Sequence, residues 1–358
     1  MGCQNSLFMR APNQARARAH SWRRFFLSLR RDAPSDDPSE PARFYCTPTG
    51  AVYVLNDEEL VGRGAYGVVR RYTSTDSSAR PVEFCVKLVQ DDTDEVEILQ
   101  TLHKRGCFEG VVEASVLRCS DAVAEVGMRL YEGTLQDVAE TPSTPAQAER
   151  LLEAIALSVL RLWRSTVAYC DIKTNNVLCD FDHKGAPTRI VLGDLGGAVD
   201  LSTGCVGVFT FPPRRSMSPA PRAGVDGIVE PREQDLVWGL GALLMSLLFG
   251  GTWVNSRFSA PSLRATANSR GCMLVDVFCS ACDEARKRLL EEEASCCGAE
   301  ARAAARCRQA AELAIAGWEE DPRATLAAFC AALTDAVVTA APVEALPPPC
   351  TPPPPVCA

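Results

Sequence analysis

Two short polar loops, each bordered by an apolar, strand-like segment, constrain this chain more than any other feature. The first is Asp171-Ile172-Lys173-Thr174-Asn175-Asn176, which runs straight into Val177-Leu178. The second is Asp194-Leu195-Gly196, whose Asp lies eighteen residues after Asn176 and follows the apolar run Ile190-Val191-Leu192. Strands flanking two such loops can bring an Asp, a Lys, an Asn and a second Asp to one point. That set supplies one base, one cation and two oxygen ligands for a hard metal ion, the equipment phosphoryl transfer needs.

Upstream, Gly62-Arg63-Gly64-Ala65-Tyr66-Gly67-Val68-Val69 matches G-x-G-x-x-G-x-V. Glycines let a backbone approach phosphates without Cβ clashes. A dinucleotide-binding turn shares the pattern but runs from strand into helix, whereas both flanks here are strand-like. Twenty residues beyond Gly67, Phe84-Cys85-Val86-Lys87 places a lysine at the end of an apolar strand. Its ammonium needs an acidic partner. Glu95 fits best, one turn before Leu99 on the face of a short helix, and Glu97 is the competing choice.

The 358 residues are 47% apolar and 23% charged, enough for a large two-lobed globular domain. Leu236 to Gly250 is the longest apolar run and is too short to span a bilayer, so it reads as a buried helix. No secretory signal is visible. The 17 cysteines are scattered and odd in number, which points to reduced thiols in cytosol or nucleus. Cys279-Ser280-Ala281-Cys282, with Cys296 and Cys297 downstream, has the spacing of half a zinc site, yet no histidine is near.

Charge divides the chain. Residues 1–31 hold seven Arg and no acid, which leaves 30 basic and 45 acidic residues in the remainder, a net of −15 against −8 for the whole. The basic segment suits an anionic membrane or an import receptor, and the acidic body gives no sign of nucleic-acid binding. Residues 1–43 therefore read as a disordered tail, basic at first and then a Pro/Asp/Ser linker from Asp32 to Pro41. Strands are expected from Val52 through residue 72 and at Val82–Val89. Helices are expected at Asp94–His103 and Ala146–Trp163, the latter starting at Thr144-Pro145. An irregular Pro/Arg stretch follows at 211–235, then helices, and Pro347–Pro355 reads as an extended tail. Strands first and helices later give an α+β, bilobal fold: a small β-rich lobe at about 50–130 and a larger helical lobe at about 134–340, with a cleft between them and a Pro-rich tail from 341 to 358.

The joint order of glycine loop, lysine, D-x-K-x-x-N and D-x-G over roughly residues 56–340 resembles the eukaryotic-type protein kinases. The Thr174-Asn175-Asn176 wording and the eroded flanking motifs resemble most the herpesvirus serine/threonine kinases of the conserved tegument type. The resemblance implies that Asp171 orients a protein hydroxyl and accepts its proton, and that Lys173 balances charge on the transferred phosphoryl group. It implies that Asn176 and Asp194 hold Mg2+, that Gly62, Gly64 and Gly67 cover ATP, that Val69 packs on adenine, and that Lys87 meets the phosphates with its ammonium held by Glu95. Lys173 resembles serine/threonine rather than tyrosine kinases. Protein substrates are implied, in host cytoplasm or nucleus and in the virion tegument.

Three departures stand out. His-Arg before the catalytic Asp is Tyr169-Cys170, so the arginine that often reads an activation-loop phosphate is missing, and activity independent of that phosphate is expected. The D-F-G phenylalanine is Leu195. A-P-E has no clean match: Ala220-Pro221-Arg222 and Pro212-Pro213-Arg214 both end in Arg where an acid belongs. These erosions keep two alternatives open, a pseudokinase scaffold and a small-molecule phosphotransferase.

At the N-terminus, Met1-Gly2-Cys3-Gln4-Asn5-Ser6 matches the myristoylation pattern at Gly2, with Cys3 placed for palmitoylation. The following arginines supply the second membrane signal that a single acyl chain needs, and Trp22, Phe25 and Phe26 are expected to insert at the interface. An unmodified, import-like basic tail is the alternative.

Overall fold

A computed structural model of the protein describes residues 24–31, 44–48, 51–64, 67–75, 83–90, 95–107, 109–119, 123–217, 228–258 and 274–334. The first lobe is a seven-stranded antiparallel sheet in the order β1-β2-β3-β4-β5-β7-β6. Its strands are β1 (Arg30–Arg31), β2 (Phe44–Cys46), β3 (Val52–Gly64), β4 (Gly67–Ser74), β5 (Glu83–Gln90), β6 (Ala114–Cys119) and β7 (Val123–Arg129). Helix α1 (Glu95–Arg105) is inserted between β5 and β6. It buries Ile98, Leu99 and Leu102 in the main core, a stripe at helical spacing.

The second lobe is mostly helical: α2 (Leu135–Ala139), α3 (Pro145–Arg164), α4 (Glu233–Phe249), α5 (Gly251–Phe258), α6 (Leu274–Ser295), α7 (Gly298–Trp318) and α8 (Leu326–Leu333). Thr144 caps α3 in a reciprocal box. Its hydroxyl accepts from the Gln147 amide, and the Gln147 carboxamide oxygen accepts from the Thr144 amide at 3.1 Å. Helix α4 is apolar on every side and is enclosed from Asp235 to Leu248, as such a helix must be outside a membrane. Gly241 lets α7 come close, since a Cβ there would lie 1.9 Å from the Cβ of Ala314. No helix among the described residues is long and apolar enough to cross a membrane.

Between the lobes lie short elements that carry the polar loops. These are β8 (Gly133–Thr134), β9 (Val167–Tyr169), β10 (Val177–Phe181), β11 (Pro187–Leu192) and β12 (Ala198–Asp200). Strand β10 pairs with β11 and β8, and β9 with β12. Two further strands, β13 (Gly207–Val208) and β14 (Ile228–Val229), pair across the irregular stretch.

The expectation of a disordered tail through residue 43 is corrected for residues 24–31. Residues 24–28 are helical, and β1 pairs with β2 in the register Arg30↔Cys46 and Arg31↔Tyr45. Phe25 and Phe26, expected at a membrane interface, instead join Tyr45, Tyr53, Tyr72 and Phe84 in an aromatic cluster on the outer face of the sheet. Phe26 is 1% exposed. Its ring meets Phe84 edge-on with centroids 5.7 Å apart. Burial of the two phenylalanines acts together with the β1–β2 pairing against the cost of ordering the arm, and the charge of the arginines beside them does not prevent it. Trp22, Gly2, Cys3 and the Pro-rich segment from 341 lie outside the described residues.

Candidate active site

Strand β5 delivers Lys87. It sits opposite Val69 of β4 and Val126 of β7, in the middle of the sheet. The residue is 6% exposed. Its ammonium donates to Glu95 Oε2 at 2.7 Å and to Asp194 Oδ1 at 2.7 Å. Burial alone would pull the Lys87 pKa down, but the two carboxylates more than reverse this, so it stands above the ordinary lysine value. Glu95 is the first residue of α1 and is buried, whereas Glu97 is exposed. The structure thus puts Glu95 in the ion pair. Burial pushes the Glu95 carboxyl up, with Lys87 acting against it.

Gly62 and Gly64 lie in β3 and Gly67 opens β4, with Gly62 opposite Val69 and Gly64 opposite Gly67. Gly67 has φ +145°, and a Cβ there would strike the Leu88 carbonyl oxygen at 1.9 Å. Its glycine is demanded by the hairpin itself. A Cβ on Gly62 would meet no protein atom within 4 Å, so protein packing does not require a glycine there, and the bare backbone forms a surface that a phosphate could approach.

The catalytic-loop candidates converge on Asp171. Its Oδ2 accepts from Lys173 Nζ at 2.6 Å and from Asn176 Nδ2 at 2.8 Å, and the same amide nitrogen donates to the Asp171 carbonyl at 3.0 Å. Spending its nitrogen on Asp171 leaves the Asn176 amide oxygen as the ligating atom. Asp194 adopts φ 44°, ψ 78°, a left-handed conformation uncommon for a non-glycine residue. Leu195 beside it is fully buried and fills the apolar slot expected of it. Gly197 lets the segment pass against the base, for a Cβ there would lie 2.7 Å from Asp171 Cβ. Asn176 and Asp194 supply the hard oxygen donors that Mg2+ takes, and Lys87 reaches the second of them, so the residues fit a magnesium-bound triphosphate.

The chain is similar to MAP kinase-interacting serine/threonine-protein kinase 1 of Xenopus laevis, with 24% identity over 216 residues, 56% of this chain and 50% of the relative. The Xenopus tropicalis protein of the same name is 26% identical over 168 residues, 44% of this chain and 39% of the relative. The chain thus spans about half the length of the curated relatives it matches, or less. No family model matches it. The likeness is a distant one to eukaryotic-type serine/threonine kinases, and the bilobal fold is kinase-like.

Several residues around the site carry no local sequence signal. Thr210, 39 positions from Asp171, donates its hydroxyl to Asp171 Oδ1. Tyr169 is fully buried and donates its hydroxyl to the Gly193 carbonyl at 2.5 Å, tying β9 to the residue before Asp194. Thr174 donates to Gln136 of α2 at 2.5 Å. One position past Pro212-Pro213-Arg214, an arginine finds an acid in the helical lobe. Arg215 reaches Asp235, near the start of α4, and the Glu230 carbonyl. Arg323 pairs locally with Asp321. Ala220-Pro221-Arg222 lies outside the described residues.

Cys85, the residue before Val86-Lys87, is 3% exposed and donates its thiol to the Met128 carbonyl at 3.6 Å. Burial pushes its pKa up to about 12. Cys279 and Cys282 share one face of α6, with Cys282 buried in an aromatic cluster around Trp238, Phe278 and Trp318. No group of three metal-binding side chains occurs among the described residues.

Proposed function

We propose that the protein is an active, Mg2+-dependent serine/threonine protein kinase that moves the ATP γ-phosphoryl group to protein hydroxyls. The observation that carries this reading is the continuous polar chain from Glu95 through Lys87 to Asp194, facing an Asp171 carboxylate already oriented by Lys173, Asn176 and Thr210. A scaffold that had lost the chemistry would have no need to keep buried charges paired at these positions, since a buried charge is costly.

Asp171 would accept the proton of the attacking hydroxyl at Oδ1 or Oδ2. Lys173 would stay beside it as a cation, offsetting charge that develops on the transferred group. Lys87 would orient the phosphates, with Glu95 fixing its ammonium. Asn176 and Asp194 would hold Mg2+, Gly62, Gly64 and Gly67 would cover the triphosphate, and Val69 would pack on adenine. The metal supplies charge neutralisation on the phosphate oxygens when bound.

The finer assignment is to the herpesvirus tegument type, resting on the Thr174-Asn175-Asn176 wording and the eroded flanks. It brings host cytoplasm, nucleus and tegument as the places of action. With Met1 as initiator, acylation at Gly2 and Cys3 would add membrane association, read out by labelled myristate and its loss in Gly2→Ala.

The deciding experiment is transfer of label from γ-labelled ATP to a mixture of acidic and basic proteins. Wild type should label protein, while Lys87→Met and Asp171→Ala should each lose roughly 10²–10⁴-fold, the range of a positioned acid–base or charge-stabilising group. Equal labelling by wild type and both variants would overturn the proposal. Labelling of a small aminoglycoside or nucleoside in place of protein would move it to the small-molecule reading.

A further inference from the structure

The position before Asp171 carries Cys170, a thiol 2% exposed, whose pKa burial pushes far up. It cannot read a phosphate on the activation segment. A cation does reach that segment, and it comes from the other lobe. Arg105 is the last residue of α1, the helix that begins with Glu95. Its guanidinium donates to the Ser165 carbonyl, to the Thr166 hydroxyl at 2.6 Å and to Asp200 Oδ2 at 3.3 Å. Ser165 and Thr166 lead into β9 and hence into Asp171, and Asp200 ends β12, which follows Asp194. One side chain therefore joins the helix of Glu95, the strand of Asp171 and the segment of Asp194.

Each acceptor has a second role. Asp200 Oδ1 accepts from the Ser202 amide at 3.0 Å and the Ser202 hydroxyl at 2.7 Å, and its carbonyl accepts from the Thr203 hydroxyl at 2.7 Å. This carboxylate thus builds the turn of the activation segment while its other oxygen faces Arg105. Thr166 has φ +59°, a strained conformation for a β-branched residue. Such strain persists only where neighbours over-determine it. Here Arg105 holds the hydroxyl, and the Leu201 amide donates to the carbonyl at 2.8 Å.

We infer that the Arg105–Asp200 pair takes the place of a phosphate and its arginine. A fixed carboxylate on the activation segment, gripped by the end of α1, holds Glu95, Asp171 and Asp194 in register without phosphorylation. The inference rests on the kinase reading of the site. Arg105 touches none of the reacting groups and is a positioning residue.

The test uses the full chain, treated with a broad-specificity phosphatase and checked by mass. Wild type should keep its transfer rate after treatment. Arg105→Ala and Asp200→Asn should each lower kcat roughly tenfold, and the double variant should do no more than either single, as expected of two residues acting as one unit. KM for ATP should stay within about twofold, and Arg105→Lys should recover part of kcat, since an ammonium keeps the charge but not the fork. The melting temperature should move by no more than about 2 °C, because a partly exposed pair adds little global stability. Hydrogen exchange at 198–205 should quicken in Arg105→Ala, also in a Lys87→Met background. Loss of wild-type activity on dephosphorylation, additive single effects, or unchanged exchange would overturn the inference. If wild type transfers nothing, the kinase reading fails and exchange alone decides: faster exchange upholds the clamp, and unchanged exchange refutes it.

Discussion

Phe26→Ala separates a docked N-terminal arm from a free tail. Phe26 is 1% exposed, packs edge-on to Phe25 and Phe84 at 5.3 and 5.7 Å, and fills the space above Gly127, where a Cβ would lie 2.8 Å from its ring. Truncating a phenylalanine in a rigid core costs about 3–5 kcal/mol. The arm is held by the β1–β2 pairing and its aromatic contacts, so it can detach locally and cap the loss below that range, at about 2–3 kcal/mol. For a domain of this size the melting temperature should fall by about 4–8 °C. Leu27→Ala is the control, since Leu27 is 63% exposed and its removal should be close to neutral. Thermal unfolding and hydrogen exchange at 24–31 and 44–48 read the result. If Phe26→Ala and Leu27→Ala melt alike, or residues 24–31 of wild type exchange as fast as free peptide, the arm is not part of the folded lobe and the packing argument fails.

Two further substitutions probe the site and its base. Glu95→Gln keeps the shape but removes the carboxylate from Lys87; at about 1.5–3 kcal/mol for a charged hydrogen bond, kcat/KM for ATP should drop tenfold or more, while Glu97→Gln should leave it unchanged. Arg215→Ala strands the buried Asp235 carboxylate and should cost about 3 kcal/mol in chemical denaturation, with Asp235→Asn on top restoring part of the loss; equal stability of wild type and Arg215→Ala would refute the brace.

What could be read from sequence was whatever lay within one loop or one helical turn. Asp171, Lys173 and Asn176 fall within six consecutive residues, and their mutual hydrogen bonds follow from that spacing. The choice of Glu95 over Glu97 follows from helix periodicity, because Glu95 lies on the side of Ile98, Leu99 and Leu102. The capped start of α3 was equally local. Thr210 was invisible because its contact with Asp171 depends on the path of the whole intervening segment. Arg215–Asp235 was hidden because its partners lie 20 positions apart and no motif links them. Phe25 and Phe26 pack onto the lobe despite the arginines around them because Tyr45, Tyr53 and Phe84, all remote in sequence, give them an aromatic surface to bury against.

The distribution of altered motifs follows a physical division. Groups that must meet phosphate, metal and hydroxyl at once have few substitutes, since hard oxygen ligands, a cation and a base leave little chemical choice. Bracing contacts need only opposite charges at hydrogen-bond distance, and either partner can carry either sign. Arg215–Asp235 and Arg105–Asp200 are both contacts of that kind. They differ in what their loss should do. Asp235 is 4% exposed, so breaking its pair leaves a desolvated charge and threatens the fold. The side chains of Arg105 and Asp200 remain 33% and 15% accessible, so water can replace each partner and the fold survives. What would be lost there is the alignment of α1, β9 and β12 about Lys87 and Asp171, an effect that rate reveals and melting does not.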